Sequence, residues 1–302
     1  MRPPFDPILI QITPTFGIHW YGILIVAGVM LGATYAAWRA RLDGEDPEHV
    51  WNALVLAVLL AIVGARLYHV FSEPVGGMVG WSYYRQHPIE ILYIWQGGLG
   101  IYGAIAGGVL GVLIYAWRSK LRPLQWLDYG APGLVLGQAI GRWGNFINQE
   151  LYGPPTTLPW GLLIDAEHRI APYNDLTQYP LDTLFHPTFL YESLWCLLVF
   201  VVLALIAHYL KPRLLPGDIL AGYIIGYPLG RFFIEYLRPD AWMLGPLAAA
   251  QWFALVCVVG GVLALVLRRV LPPRSTPGAE QANPAEAPEA AAEAAGTAEP
   301  EA

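Results

Sequence analysis

Ten residues of this chain concentrate the groups that bind anions. Gly141-Arg142-Trp143-Gly144-Asn145-Phe146-Ile147-Asn148-Gln149-Glu150 closes a long apolar run, yet it carries a guanidinium, two asparagine carboxamides and a carboxylate. A charged arginine inside a bilayer costs about 2.5–3.5 kcal/mol on insertion scales and persists where it meets an anion, a partner side chain or water. On a helix, Arg142, Asn145 and Asn148 recur at three-residue spacing and share one face, with Gly141 and Gly144 leaving backbone open beside them. An arginine fork flanked by neutral amide donors suits a phosphate and its ester oxygens. The structural alternative is polar glue between helices, with Glu150 neutralising Arg142.

A second polar stretch, Gly230-Arg231-Phe232-Phe233-Ile234-Glu235-Tyr236-Leu237-Arg238-Pro239-Asp240, sets Arg231 and Glu235 four apart and Arg238 three further on. Arg231 with Glu235 reads equally well as a self-contained structural pair, which leaves Arg238 as a second phosphate contact. In Phe185-His186-Pro187-Thr188-Phe189-Leu190-Tyr191-Glu192, His186-Pro187 opens a helix with Tyr191 and Glu192 about one turn inside. A carboxylate in an apolar run wants a basic partner; Arg66, in an earlier apolar run, is one option. Trp95-Gln96-Gly97-Gly98-Leu99-Gly100-Ile101-Tyr102-Gly103 is a glycine-rich start to another run. Gly17-Ile18-His19-Trp20-Tyr21-Gly22 opens the first, where Trp20 reads as an interfacial anchor.

These groups must be positioned by membrane helices. The 302 residues are 56% hydrophobic and 13% charged, with mean hydropathy +0.44, against about 25% charged in globular domains. Seven spans are expected over approximately 18–38, 51–71, 94–117, 127–147, 189–210, 217–237 and 247–269, each near the 20 or so apolar residues that a bilayer requires. Ten Lys and Arg residues fall in one set of loops and at the C-terminal end (39, 41, 118, 120, 122, 211, 213, 268, 269, 274). By the positive-inside rule that side is cytoplasmic, which puts the N-terminus outside and the C-terminus in the cytoplasm. The anion-binding decapeptide then lies at the outer end of the fourth span, and residues 149–188 form a small external head. The fold class is therefore an all-α membrane protein: seven transmembrane helices in a membrane domain of residues 1–271, followed by a tail of residues 272–302. That tail is Pro, Ala and Glu with six glutamates against one basic residue, Arg274; it cannot bury a core and is expected to be disordered. Glycines at four-residue spacing (103/107/111, 133/137/141, 222/226/230) suggest that the third, fourth and sixth spans form one tight centre.

Several chemistries are absent. Without its acidic tail the chain is near neutral, so the net charge of −6 points to no nucleic-acid partner. Cys196 and Cys257 sit inside apolar runs and read as buried thiols. There is no HExxH helix, GxSxG elbow or Walker A loop. The N-terminus lacks a basic region followed by a cleavage site and does not read as a signal peptide. A transporter would also use intramembrane charges and glycine-packed helices, though no inverted repeat is visible. A lipid-binding scaffold without chemistry is a third class.

The motifs together resemble those of the prolipoprotein diacylglyceryl transferases. The likeness covers approximately residues 8–270 and rests on Gly141–Glu150, which fits the family pattern GRxGNFxNxE. His19-Trp20-Tyr21-Gly22, His186–Glu192 and Glu235–Asp240 follow in the family's order. The resemblance implies a bacterial cytoplasmic (inner) membrane enzyme. Such enzymes transfer diacylglycerol from phosphatidylglycerol to the lipobox cysteine of a prolipoprotein signal peptide, forming a thioether and releasing glycerol 1-phosphate. It implies catalytic roles for Arg142, Arg238, Tyr21, Asn145, Tyr102 and Glu150. It implies substrate contacts by Arg142, Asn145, Asn148, His186, Glu192, Glu235 and Arg238, with no metal or organic cofactor. Many members carry a histidine where this chain has Tyr102, so that family histidine is missing as a base here; Tyr102, His186 or Glu150 is left to take the thiol proton.

Overall fold

The computed structural model describes residues 1–3, 6–13, 16–72 and 80–271. The tail from residue 272, expected to be disordered, lies outside them, as do residues 73–79 of the loop after the second span. By internal contacts the chain divides into a unit of residues 1–262 and a second of 263–302, of which 263–271 are described as the end of the last helix.

An antiparallel hairpin, β1 (Ile8–Thr13) with β2 (Phe16–His19), leads into α1 (Trp20–Leu42). Then come α2 (Glu48–Phe71), the short α3 (Trp81–Tyr84), α4 (Ile101–Arg118) and α5 (Pro123–Ile147). Two short strands, β3 (Leu162–Leu163) and β4 (Leu184–Phe185), pair before α6 (Thr188–Tyr209) and α7 (Asp218–Ile234). A last hairpin, β5 (Met243–Leu244) with β6 (Leu247–Ala248), precedes α8 (Ala249–Val270). The fold is mostly helical, and its seven long helices fall on the seven expected segments. Five of them, α1, α2, α4, α6 and α8, are long and apolar enough to cross a membrane. Their outward faces expose Val26, Leu59, Ile105, Leu198 and Val256, as a helix facing lipid would. The sequence pattern did not foresee the hairpins. It also started the third helix of this series, α4, too early: residues 94–96 form a single 3-10 turn, and Gly97 and Gly98 at φ +88° and +72° hold the chain open until Ile101.

Glycine governs the helix packing, but not as one centre. Gly28 and Gly32 of α1 lie against Gly137 and Gly133 of α5, backbone on backbone. Gly103, Gly107 and Gly111 of α4 meet Gly64, Leu60 and Ala57 of α2. Gly222, Gly226 and Gly230 of α7 receive Leu203, Val199 and Trp195 of α6. Each stripe therefore has its own partner, and Gly141 has no neighbour within 4 Å of an added Cβ. The expectation of a shared centre failed because spacing shows that a face is smooth, not which helix it meets.

Two further devices fix the frame. Asp128 of α5 accepts the backbone N–H groups of Gly217 (2.5 Å) and Leu220 (2.8 Å) at the start of α7. This caps donors that the helix cannot satisfy itself and favours negative charge at that end. Arg66, buried in α2, does not pair with Glu192. It donates to the carbonyls of Ile91 (2.7 Å), Gly97 and Gly98 (both 3.0 Å) and to Glu90 O, and lies 5.2 Å from the Tyr84 ring centroid. Five N–H donors in a planar fork, four of them directed at carbonyls here, make arginine suited to such a cage.

Residues 149–188 form a compact segment over a core of Tyr152, Leu162, Ile164, Phe185 and Phe189. Buried Arg169 binds it from within, donating to the carbonyls of Ile164, Tyr179, Pro180 and Leu181 beneath the Phe185 ring.

A methyl at Gly103 would collide with the Gly64 carbonyl, whereas one at Gly260 meets nothing within 4 Å. Gly103→Ala is expected to destabilise the protein by about 1–3 kcal/mol through overpacking. Gly260→Ala should be neutral or slightly stabilising in the same thermal-unfolding measurement. Equal melting temperatures for both variants would refute the α2–α4 contact.

Candidate functional site

The polar residues that the sequence singled out on α5, α6 and α7 meet at one end of these helices. Glu192, one turn into α6, is buried and lies at the centre. Its carboxylate is ion-paired with Arg142 Nε of α5 at 2.7 Å and with Arg231 Nη1 of α7 at 2.9 Å, the second also as a hydrogen bond. Arg231 Nη2 also reaches buried Glu235. The result is an alternating chain, Arg142–Glu192–Arg231–Glu235, with no net charge. Such a chain survives in a water-poor site because each ion has an opposite neighbour.

The arginines are not used up by these pairs. Arg142 makes only long contacts beyond Glu192, to Asn145 Oδ1 at 3.4 Å and Tyr227 Oη at 3.5 Å. A guanidinium has five N–H donors, and the rest on Arg142 and Arg231 have no partner among the described residues. Both side chains keep roughly a fifth of their surface open, 20% and 18%. The site therefore holds two fixed, partly exposed cations with donors to spare.

Asn145 is buried and donates to Glu150 Oε1 at 2.7 Å; Asn148 reaches the same oxygen at 3.4 Å. The shared face of Arg142, Asn145 and Asn148 thus exists, but Glu150 accepts hydrogen bonds from the two amides instead of neutralising Arg142. The reason is position: Glu150 lies past the end of α5 and folds back over Asn145, while Glu192 comes up beside Arg142 from a neighbouring helix. Tyr21, at the start of α1, packs its ring against Gly144, where a side chain would collide with it. His186 Nδ1 lies 3.1 Å from Tyr191 Oη, and Trp160 Nε1 donates to the same hydroxyl at 3.3 Å.

Arg238 sits apart from the chain of ion pairs, gripped by Asp240 through Nε (3.2 Å) and Nη2 (2.8 Å). Among the described residues its side chain has no hydrogen bond or ion pair to the Arg142–Glu192–Arg231–Glu235 chain; it lies three residues after Glu235 in sequence. The hydrogen bond from Arg238 holds the Asp240 carboxyl below the usual aspartate range. A depressed carboxyl favours the folded state above its ordinary range and loses that effect as pH falls through the folded value. The latch is closed at neutral pH. Tyr102 is the outlier: it is 69% exposed, near the start of α4, in ring contact with Tyr68, and no described hydrogen bond links it to the cluster.

Sequence reasoning left Arg231 as half of a local pair with Glu235 and gave Tyr227 no role. The four-residue spacing of Tyr227 and Arg231 on α7 was the available signal; the bridging carboxylate from α6 was not visible. Glu192→Gln strands two guanidinium groups and is expected to cost about 3–5 kcal/mol in thermal unfolding. Glu150→Gln, on an exposed side chain, should stay within about 0.5 kcal/mol of the parent. An unchanged Glu192→Gln variant would remove Glu192 from the centre of the site.

Residues 7–267 match the family model described as prolipoprotein diacylglyceryl transferase. Among curated relatives, the phosphatidylglycerol–prolipoprotein diacylglyceryl transferase of Chloroflexus aggregans is 45% identical, over 89% of this chain and 92% of its own. The protein of the same name from Trichormus variabilis is 43% identical, over 88% of this chain and 92% of its own. That of Streptococcus agalactiae is 37% identical, over 87% and 96%. With the signature helix, its glutamate and the bridged arginines all inside the matched region, the chain belongs to the prolipoprotein diacylglyceryl transferase family.

Proposed function

We propose that Arg142 and Arg231, held by Glu192, seat the phosphate of phosphatidylglycerol, with Arg238 as a third cation at the rim. The protein is a transferase of lipoprotein maturation, moving the diacylglyceryl group from phosphatidylglycerol to prolipoprotein. In our reading the acceptor is a lipobox cysteine, presented by a signal-peptide helix from within the bilayer. Its thiolate attacks a glycerol carbon of the lipid. The new C–S bond is a thioether, the C–O bond to phosphate breaks, and glycerol 1-phosphate leaves with the bonding electrons.

A thiol with an ordinary pKa near 8.5 is only a few per cent ionised at neutral pH, and negative charge grows on the departing phosphate. Prepositioned guanidinium groups in a dry site answer the second need at little reorganisation cost. The observation that carries the reading is two arginines from different helices on one buried carboxylate, each with N–H groups to spare. Asn145 and Tyr21 flank Arg142 and orient the lipid. His186, Glu192, Glu235 and Asn148 complete the surrounding shell. Of the groups considered for the thiol proton, Glu150 is the one hydrogen-bonded into the arginine network, through Asn145.

The loop charges support seven crossings in a bacterial inner membrane, with the site and the 149–188 head outside and the C-terminus in the cytoplasm. α5 and α7 then cross as the polar lining of the bundle, shielded by the more apolar helices.

Purified protein with phosphatidylglycerol and a lipobox peptide supplies the test. Arg142→Ala and Arg231→Ala are expected to lower kcat by about 10²–10³ each, the usual loss for a donor to developing charge. The lysine variants should recover little, because a point charge does not replace a fork. Full turnover in both lysine variants would overturn the phosphate seat.

A further inference from the structure

One turn from the ion-pair chain, two phenols on α7 form a pattern that the ion pairs leave unexplained. Tyr223 and Tyr227 lie nearly parallel, with 11° between ring planes and 5.9 Å between centroids. Each hydroxyl oxygen accepts from α5: Gln138 Nε2 donates to Tyr223 at 3.0 Å, and Arg142 Nη2 to Tyr227 at 3.5 Å. A phenol that accepts still has its own proton to donate. Among the described residues neither hydroxyl has an acceptor. Gln138 Oε1 is likewise buried with no partner. Turning the Gln138 amide over would pair its oxygen with Tyr223 and leave the NH2 as the free donor, so the pair keeps surplus donors in either setting. Polar groups left unsatisfied at membrane depth are costly, which makes a bound acceptor the natural completion of this site.

The neighbouring backbone is open. Gln138, Gly141, Arg142 and Asn145 share one face of α5, and an added Cβ at Gly141 meets nothing within 4 Å. The complement to this surface is a molecule with an anion at Arg142 and neutral acceptors about one helical turn, ~5.4 Å, further into the bundle. A diacyl glycerophospholipid has that layout: its two ester carbonyls sit on adjacent carbons next to the phosphate-bearing one.

We infer that Tyr223 and Tyr227, with Gln138 behind Tyr223, form a subsite that hydrogen-bonds the two ester carbonyls of the lipid substrate. The protein thereby distinguishes diacyl from dialkyl chains. The inference rests on the phosphate seat at Arg142 and Arg231. A dialkyl ether lipid has the same phosphate and chains but no carbonyl, and leaves the phenol donors without acceptors; a site built to hydrogen-bond rejects such an analogue.

The test compares diester and diether phosphatidylglycerol of equal chain length, with the full chain in nanodiscs of zwitterionic lipid. Equilibrium binding and transfer to a lipobox peptide are both read. The parent is expected to bind the diester about tenfold more tightly. Tyr223→Phe should raise KM for the diester about three- to fivefold at unchanged kcat, the mark of a contact made equally in ground and transition states, and leave diether binding unaltered. Gln138→Leu, which removes the group that orients the Tyr223 hydroxyl, should give the same selective loss. Equal affinity of the parent for both lipids overturns the inference, as does a Tyr223→Phe variant that weakens both lipids alike. A diester preference that persists while Arg142→Ala leaves binding intact supports the subsite and counts against the phosphate seat.

Discussion

One buried carboxylate organises the candidate site. Glu192 is the meeting point of guanidinium groups from two other helices, and each of those groups belongs to a stretch that otherwise belongs in water. Removing the acid would leave two like charges facing each other in a medium that screens them poorly. Keeping it makes the cluster neutral without saturating the arginines. The same contact fixes where the cations stand and leaves each with N–H groups that no described residue takes up. In the proposed function this preorganisation matters, because a phosphate that meets prepositioned donors spends little binding energy on ordering the site.

The helices can bring these groups together because the backbones approach so closely. The α1–α5 seam at Gly28, Gly32, Gly133 and Gly137 places the start of α1, with Tyr21, against Gly144 of the signature helix. The α6–α7 seam sets Trp195 over Gly230, next to Arg231, and Trp195 Nε1 donates to the Gly226 carbonyl at 2.9 Å. In lipid there is no apolar driving force between helices, so packing and hydrogen bonds of this kind carry the association. Both seams end at the ion-pair chain.

Much of this was legible in the sequence, for identifiable reasons. The positions of the long helices follow from apolar run lengths, and the grouping of Arg142, Asn145 and Asn148 follows from helical spacing alone. Glu192 was recognisable as a carboxylate in need of a cation, since an unpaired acid in an apolar run is expensive. Its actual partners were not recognisable. Arg66, Arg142 and Arg231 are chemically equivalent candidates, and only tertiary geometry shows that Arg66 is consumed by carbonyls. Arg238 looked free because Arg231 had a local acid; in the structure Asp240, two residues on, occupies it. The N-terminal hairpin was hidden because its β1 strand is exposed along its length, so no alternation of buried and exposed positions marks it.

The cap that Asp128 places on α7 has a consequence for the whole polar lining. It pins the bottom of α7 to a defined level of α5, and from that datum both helices climb in the same direction by a fixed rise per residue. Arg142 stands fourteen residues above Asp128, about 21 Å, and each residue adds about 100° of rotation. Height and azimuth of the guanidinium are thus counted off from a carboxylate at the far end. A length change anywhere between the two would misdirect the fork even with every side chain retained. The α5 helix thus acts as a ruler between its Asp128 cap and the Arg142–Glu192 ion pair.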